Sequence, residues 1–503
     1  MEDAKPRRVR KLGVTLFCLA VLLTVLGAFH LIENWRGKHR WEAYKRQLIT
    51  QGAKLDLAQL IPPPVPPEQN FAATPFFDEL LPGPKPTNWN RWPNLIGQVP
   101  PQLSAGRNNE RHLTDFPAWQ ATLRAERGHD TNAVVVGRAE AAEEMLAAMK
   151  VYEPALQELR SVSARPLSRY NIRYDLNNPW GIFLPHLPVI KSVCQGLSLK
   201  ACAELAAGHS DEAMEDVRLM VRITRSMDAE LFLITHMVRL ACFHLIVQPV
   251  WEGLALERWS TAQLEELQGI LLGFNFIKGI EAPEGAEQAA GVITVDILLK
   301  ERDKAGLLNA FIGPESGTQL PNVPKAALNA MALLVPRGWY YMEQFNYVRT
   351  FQDLAVPGAD ATNTVIFPQI VNANEAKVDR LLSRRNALLG HYFFARLLMP
   401  AMGKAQRKTA HAQTAAHQAA IACALERYRH KHGDYPKDLA ALAPEFMPAV
   451  PHDVINGQPM HYKPGKRPVI YSVGWDETDN NGTPGKTLWD DKGDWVWTYP
   501  QVQ

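Results

Sequence analysis

Leu12 to Ile32, LGVTLFCLAVLLTVLGAFHLI, is an unbroken run of 21 residues without an acidic or basic residue other than His30. A helix rises 1.5 Å per residue, and a bilayer core takes about 20 apolar residues to cross. The run therefore predicts a transmembrane helix over 12–32, preceded by a basic tail over 1–11. A removable signal peptide has the same basic start. It also needs small residues at −3 and −1, and Leu26-Gly27-Ala28 places Leu at −3. The run is therefore expected to stay on the chain as an anchor. Lys5, Arg7, Arg8, Arg10 and Lys11 precede it, and Arg36, Lys38, Arg40, Lys45 and Arg46 follow it. The positive-inside rule is silent on this tie. A short basic tail resists translocation, so the amino terminus is expected in the cytoplasm and the bulk of the chain outside it.

Beyond the anchor, the composition is that of a globular protein. Charged residues are 21 % and hydrophobic ones 46 % of 503 residues, which excludes a multi-span membrane protein and a disordered chain. Lys plus Arg is 54 against 52 Asp plus Glu, a formal charge of +2, so the positive field that nucleic acid requires is absent. The five cysteines, Cys18, Cys194, Cys202, Cys242 and Cys423, form no C-x-x-C pair and read as small buried apolar side chains.

Residues 33–60 predict a juxtamembrane helix on which Trp41, Tyr44 and Leu48 share a face. Trp35 and Trp41, beside basic residues, suit the headgroup zone, and the same face suits packing on a domain behind it. Twelve of the 37 prolines fall between 61 and 101, within a Pro-rich spacer set at 61–115. That stretch is neither helix nor central strand. Its Phe71, Phe76, Phe77, Trp89 and Trp92 favour draping over a domain.

A helical domain is expected over 116–395. Ala142, Leu146, Met149 and Tyr152 form one stripe, and Ser260 with Gln263 has capping-box spacing. Ala201 and Ala203, a turn at Gly208, and Ala213 beyond it resemble one tetratricopeptide-type hairpin. This hairpin is the expected surface for a protein partner. Ala326 to Val335 is too short to cross a membrane and reads as core helix. Trp339, Tyr340, Tyr341, Phe345 and Tyr347 read as a core stripe, with a pocket lining as the alternative.

The last hundred residues carry the most specific pattern. An Ala-rich helix near 404–432 ends in Ala424, Leu425, Tyr428, Gly433, Tyr435 and Pro436. Pro451, Asp453 and Gly457 follow, then Tyr471, Ser472, Gly474 and Asp476, then Asp490, Asp491, Gly493 and Trp495. In this order the motifs resemble the globular domain of the major pseudopilin of bacterial type II secretion systems. The resemblance implies a pseudopilin-like module over 396–503, a long helix with a small antiparallel sheet, on a bacterial inner-membrane protein. It implies calcium as the cofactor, with Asp476, Asp490 and Asp491 as side-chain ligands. The chain departs from the family at Val454, where a proline is usual, and at Asp494, where Asn is usual. Its matching helix also begins far downstream of the anchor. From the residues alone, Asp476, Glu477, Asp479, Asp490, Asp491 and Asp494 crowd a short loop, where carboxylates repel unless screened.

No G-x-S-x-G, H-E-x-x-H or Walker loop is present, and no G-x-G-x-x-G follows a strand. His411 and His417 are six residues apart and do not share a face for one metal. The basic residues Lys404, Arg407, Lys408, Arg427, Arg429 and Lys431 read as a solvated helix face. The expected fold is mainly α with a carboxyl-terminal α+β module. The expected role is a non-catalytic structural or interaction protein of the envelope. Two other readings are kept: an atypical large minor pseudopilin, for which Gly13 to Cys18 resembles a prepilin peptidase site, and an enzyme with its site in the helical region.

Overall fold

A computed structural model describes residues 5–78, 111–126, 137–301, 329, 335–354, 358–381, 390–398, 402–486 and 492–498. The amino-terminal helix α1 runs without a break from Lys5–Thr50, about 69 Å at 1.5 Å per residue. The anchor and the juxtamembrane helix are thus one rod. In its first part Leu12, Phe17, Leu23, Leu31 and Ile32 are all exposed. In its second part Trp41 and Leu48 are buried. Trp41 is 1 % exposed, so it packs on the body and the headgroup expectation for it is not met, while Trp35 stays exposed.

The Pro-rich segment is draped where it is described. Short helical turns and α2 (Pro75–Asp78) carry Phe71 and Phe77 into the main core. Trp89 and Trp92 lie outside the described residues. The helices α3 (Phe116–Glu126), α4 (Arg138–Met149) and α5 (Glu153–Ser161) follow. The α4 stripe packs as expected through Ala142 and Met149.

The predicted hairpin is α6 (His186–Ala207) and α7 (Ser210–Arg225). Gly208 sits between them at φ +94°, a conformation that costs glycine least, and its N–H closes the end of α6. Asp211 and Glu212 open α7 and Arg222 and Arg225 close it, matching its dipole. Next comes α8 (Leu233–Ala255), which contains Pro249. That proline has no N–H for the carbonyl of Leu245, four residues back. Ser198 Oγ of α6 donates to that carbonyl at 2.8 Å instead. Helix α9 (Thr261–Leu272) starts with the complete capping box of Ser260 and Gln263.

Beyond α10 (Phe276–Gly279) lie α11 (Glu281–Lys300) and α12 (Arg337–Leu354), which pair through buried amides. Gln344 Nε2 donates to Val292 O at 3.0 Å and to Asp296 Oδ1 at 2.7 Å. The aromatic stripe of α12 is core: Tyr347 and Phe345 are buried, and Trp339, Tyr340 and Tyr341 are half-buried. The expected helix at 326–335 lies almost wholly outside the described residues.

A two-stranded ribbon, β1 (Ala359–Asp360) and β2 (Val365–Ile366), precedes α13 (Pro368–Leu381), α14 (Phe393–Leu398) and α15 (Met402–His432). A three-stranded antiparallel sheet follows, β3 (His461–Lys463), β4 (Val469–Ser472) and β5 (Trp495–Trp497), in that order.

Helix α15 is buried from Met402 to Glu426 on almost every face. Its alanines let α8 and α9 approach on one side and β4 and β5 on another. One apolar core therefore runs through α6, α7, α8, α9, α15 and the sheet, and position 396 does not mark a division in it. Several cations of α15 are also paired, Arg427 with Glu265, Arg429 with Glu426 and Lys431 with Glu445, rather than simply solvated.

Among the described residues, three helical segments are long and apolar enough to cross a membrane: Leu12–Thr50, Pro179–Ala207 and Leu233–Ala255. The apolar window of the first is wholly exposed, and those of the other two are 61 % and 67 % buried inside the protein. The latter two supply core, so α1 is the segment with an apolar surface left to cover.

Candidate functional site

The carboxyl-terminal loops are organised by three aspartates. Asp453 is fully buried in the loop before β3. Its carboxylate accepts from Ile455 N at 3.0 Å, Val473 N at 3.0 Å and Ser472 Oγ at 2.8 Å. Burial pushes this carboxyl up, and those donors pull the other way. Asp453 thereby ties its own loop to the end of β4, and Val454 fills the apolar cluster below it.

Asp494 does the same for the acidic loop. Its Oδ1 accepts from Asn480 N at 3.1 Å and its Oδ2 from Gly482 N at 2.6 Å. Asp476 Oδ1 accepts from Thr478 N and its Oδ2 from Gly493 N, both at 3.2 Å. This last contact needs Gly474, whose φ is +69° and where a Cβ would lie 2.3 Å from Gly493 O. Asp479 Oδ1 accepts from Asn481 N at 2.8 Å. The crowding of carboxylates that suggested a cation is thus answered, for these three, by backbone N–H donors.

Of the expected calcium ligands, the structure places Asp476 at the rim of this loop. Asp490 and Asp491 lie outside the described residues. Among the described residues, no group of three or more His, Cys, Asp or Glu side chains converges as a metal would require. Asp476 keeps one unused lone pair on each oxygen, enough for one position in a shell of six to eight oxygens.

Asp476 also borders an open cleft of about 600 Å³ between α13, α15 and the loop. Trp475 forms its floor, with Nε1 donating to Asn372 Oδ1 at 2.9 Å and the Arg407 guanidinium 4.8 Å above its ring. Glu375, Asp379 and Asp476 face Arg407 and Lys492 across it. A shallower hollow of about 500 Å³ lies on the other side of Lys492, against Asn480 and Pro484. Among the described residues, the one hydroxyl in the larger lining is Thr478, whose Oγ1 donates to Asp476 O at 3.1 Å, and no histidine lines that cleft. Such a lining suits binding of a small charged group. Among the described residues it offers no nucleophile paired with a base.

Sequence reasoning missed this cleft because Glu375 and Asp379 lie about a hundred residues from Asp476. It also missed the partners of the α15 histidines. His411 Nδ1 lies 3.4 Å from His244 Nε2. His417 contacts Gln413 Nε2 at 3.0 Å and the His452 carbonyl at 3.0 Å. Burial lowers His411 to about 3 and His417 to about 4, so both are neutral core groups.

Comparison of the chain with protein-family models, with curated proteins and with solved structures returns no match.

Proposed function

We propose that this chain is a single-pass bacterial inner-membrane protein whose extracytoplasmic body has a structural, non-catalytic role, holding a binding module at a fixed height above the bilayer. The observation that carries the reading is α1. One uninterrupted helix is exposed and apolar over 12–32 and then packs on α12 through Trp41 and Leu48. A flexible stalk would leave the body free to rotate, and a continuous helix packed on the body does not. The hairpin α6–α7 is the proposed partner surface.

The pseudopilin-like reading of the last hundred residues is supported by the ordered motifs and by α15 lying along β4 and β5. Calcium would be held by Asp476 with Asp490 and Asp491, supplying charge neutralisation to the loop that Asp494 closes. It would act as a structural staple.

Alkaline carbonate washing of membranes tests the anchor. The full chain is expected in the pellet, and a chain lacking 12–32 in the supernatant. Release of the full chain overturns the reading. Photo-crosslinking from Glu212, exposed at the start of α7, tests the partner surface in native membranes. A discrete adduct is expected, and its absence there and at other exposed positions of the hairpin removes the interaction role.

A further inference from the structure

The end of the body nearest the anchor packs through α12 on one side of the exit of α1. Trp339 of α12 makes an edge-to-face contact with Phe29, which is itself inside the apolar run, at 6.3 Å between ring centres. Phe29 lies three residues before Ile32, about 4.5 Å along the helix axis, so Trp339 stands at the level where hydrocarbon gives way to headgroups. Its Nε1 donates to Glu33 Oε2 at 3.0 Å, and the centre of the His391 ring lies 4.9 Å from that of Trp339. The backbone is fixed at the same height, because Gly338 N donates to Asn34 Oδ1 at 2.8 Å.

On α1 itself Trp35 is 69 % exposed and stacks on His39 at 5.4 Å. Around these rings the exposed charges are mostly positive: Arg36, Lys38 and Arg40 on α1 and Arg337 on α12. The acidic Glu33 among them is buried and is already engaged by Arg36 at 3.0 Å. An indole with an apolar face and a polar tip, ringed by basic side chains, is the chemistry that settles at a membrane interface. Anionic headgroups are its complement.

We propose that this band around α1, with Trp339 on one side and Trp35 on the other among Arg36, Lys38, Arg40 and Arg337, is a lipid-docking surface that seats the body on anionic phospholipid headgroups. The proposal rests on the reading of 12–32 as a membrane span and adds a second membrane contact made by the body. The sequence pointed to Trp35 and Trp41 for this zone. The fold buries Trp41 and supplies Trp339 from 304 residues after Trp35.

The chain carries its own reporter for the test. Cys18 is exposed within the span, while Cys194, Cys202, Cys242 and Cys423 are buried. The full chain is reconstituted into vesicles of zwitterionic lipid with and without phosphatidylglycerol. One sample is labelled at Cys18 with an environment-sensitive fluorophore. A second carries Cys18→Ser with Arg337→Cys, and a third Cys18→Ser with Lys466→Cys on the turn after β3. Both introduced sites are exposed, so folding is not at stake.

Lipid brominated deep in the acyl chain is expected to quench Cys18. Lipid spin-labelled at the headgroup is expected to quench position 337 and leave position 466 unchanged. Quenching at 337 is expected to grow with phosphatidylglycerol and to fall when Arg36 and Lys38 are both changed to Gln. If Cys18 is quenched and position 337 behaves like 466, the docking surface is refuted and the anchor stands. If Cys18 is not quenched, the anchor reading fails as well. Quenching at 337 that ignores phosphatidylglycerol overturns the choice of anionic lipid.

Discussion

Replacing Gly37 by alanine puts a methyl group where α12 already stands. A Cβ at Gly37 would lie 2.0 Å from the Gly338 carbonyl oxygen and 2.7 Å from its Cα. The obstacle is backbone and cannot turn aside. To restore an ordinary contact near 3.4 Å, α1 and α12 must separate by about 1.4 Å at the crossing. Overpacking of this kind costs about 1–3 kcal/mol. Alanine also returns about 1 kcal/mol of helix propensity. The net expectation is a loss of about 0–2 kcal/mol.

That loss is smaller than what holds the rod. Burying Trp41 removes about 200 Å² from water, worth about 5 kcal/mol at about 25 cal/mol per Å², and Leu48 adds about 2 kcal/mol. Gly37→Ala should therefore loosen α1 without releasing it. The assay is thermal unfolding of detergent-solubilised chain, read by tryptophan fluorescence. The control is Gly27→Ala in the same helix, where a Cβ meets nothing within 4 Å. Gly27→Ala is expected to melt at or above wild type, and Gly37→Ala no higher than wild type and below Gly27→Ala. A Gly37→Ala protein as stable as the Gly27→Ala control would refute the crossing and, with it, the rigid attachment.

Other outcomes follow from buried polar groups. Glu252 is fully buried and accepts from Thr114 N at 3.0 Å, Thr114 Oγ1 at 2.6 Å and Arg138 at 2.6 Å. Glu252→Ala removes the acceptor of Thr114 and the partner of the partly exposed Arg138 and is expected to cost about 1–3 kcal/mol, with segment 111–126 cut first in limited proteolysis; equal protection of that segment would contradict the role. Ser198→Ala leaves the Leu245 carbonyl without its donor beside Pro249 and is expected to cost about 1–3 kcal/mol by denaturant titration, whereas Ser198→Thr retains a donor and should recover part of it. For pH, burial pushes Glu204 and Glu284 up to about 8 and Glu287 up to about 7. The native state therefore holds protons that the unfolded chain releases near 4.5, and this contribution to stability falls as pH rises from about 4.5 to 8. Burial lowers His236 and His411 to about 3 and His417 to about 4, so the unfolded chain gains protons below about 6.5 that the native state refuses, and stability also falls toward pH 4. Between about pH 4.5 and 6.5 the two trends oppose each other, so the expectation for denaturant titration is lower stability at pH 8 than at pH 6.5; a higher stability at pH 8 overturns the neutral-carboxyl assignment. Chelation of calcium is expected to lower the melting temperature of the full chain, and Asp476→Ala to abolish that shift.

Much of the local structure was legible. The hairpin turn at Gly208, the Ser260 capping box and the Trp41–Tyr44–Leu48 face depend on residues within a turn or two of each other. The draping of the Pro-rich segment was legible too, from aromatics that a free linker has no use for. What escaped was every feature made by distant residues. His411 meets His244 across 167 positions, and the cleft at Asp476 takes Glu375 and Asp379 from a helix outside the resemblance. Arg427 and Lys431 of α15 looked solvated because their carboxylate partners, Glu265 and Glu445, lie off the helix.

By itself the sequence determined that one segment, 12–32, has nothing but apolar surface to offer and that the remainder is an ordinary globular mixture. Those are properties of composition and period, and no fold is needed to express them. Only the tertiary structure decided which surfaces stay apolar to the outside. Pro179–Ala207 and Leu233–Ala255 are also long and apolar, yet they bury most of that surface in one another and in α15. The same principle moved Trp41 inside and brought Trp339 to the exit of the anchor. A side chain's environment is set by what packs beside it, and in this chain the decisive neighbours are hundreds of residues away.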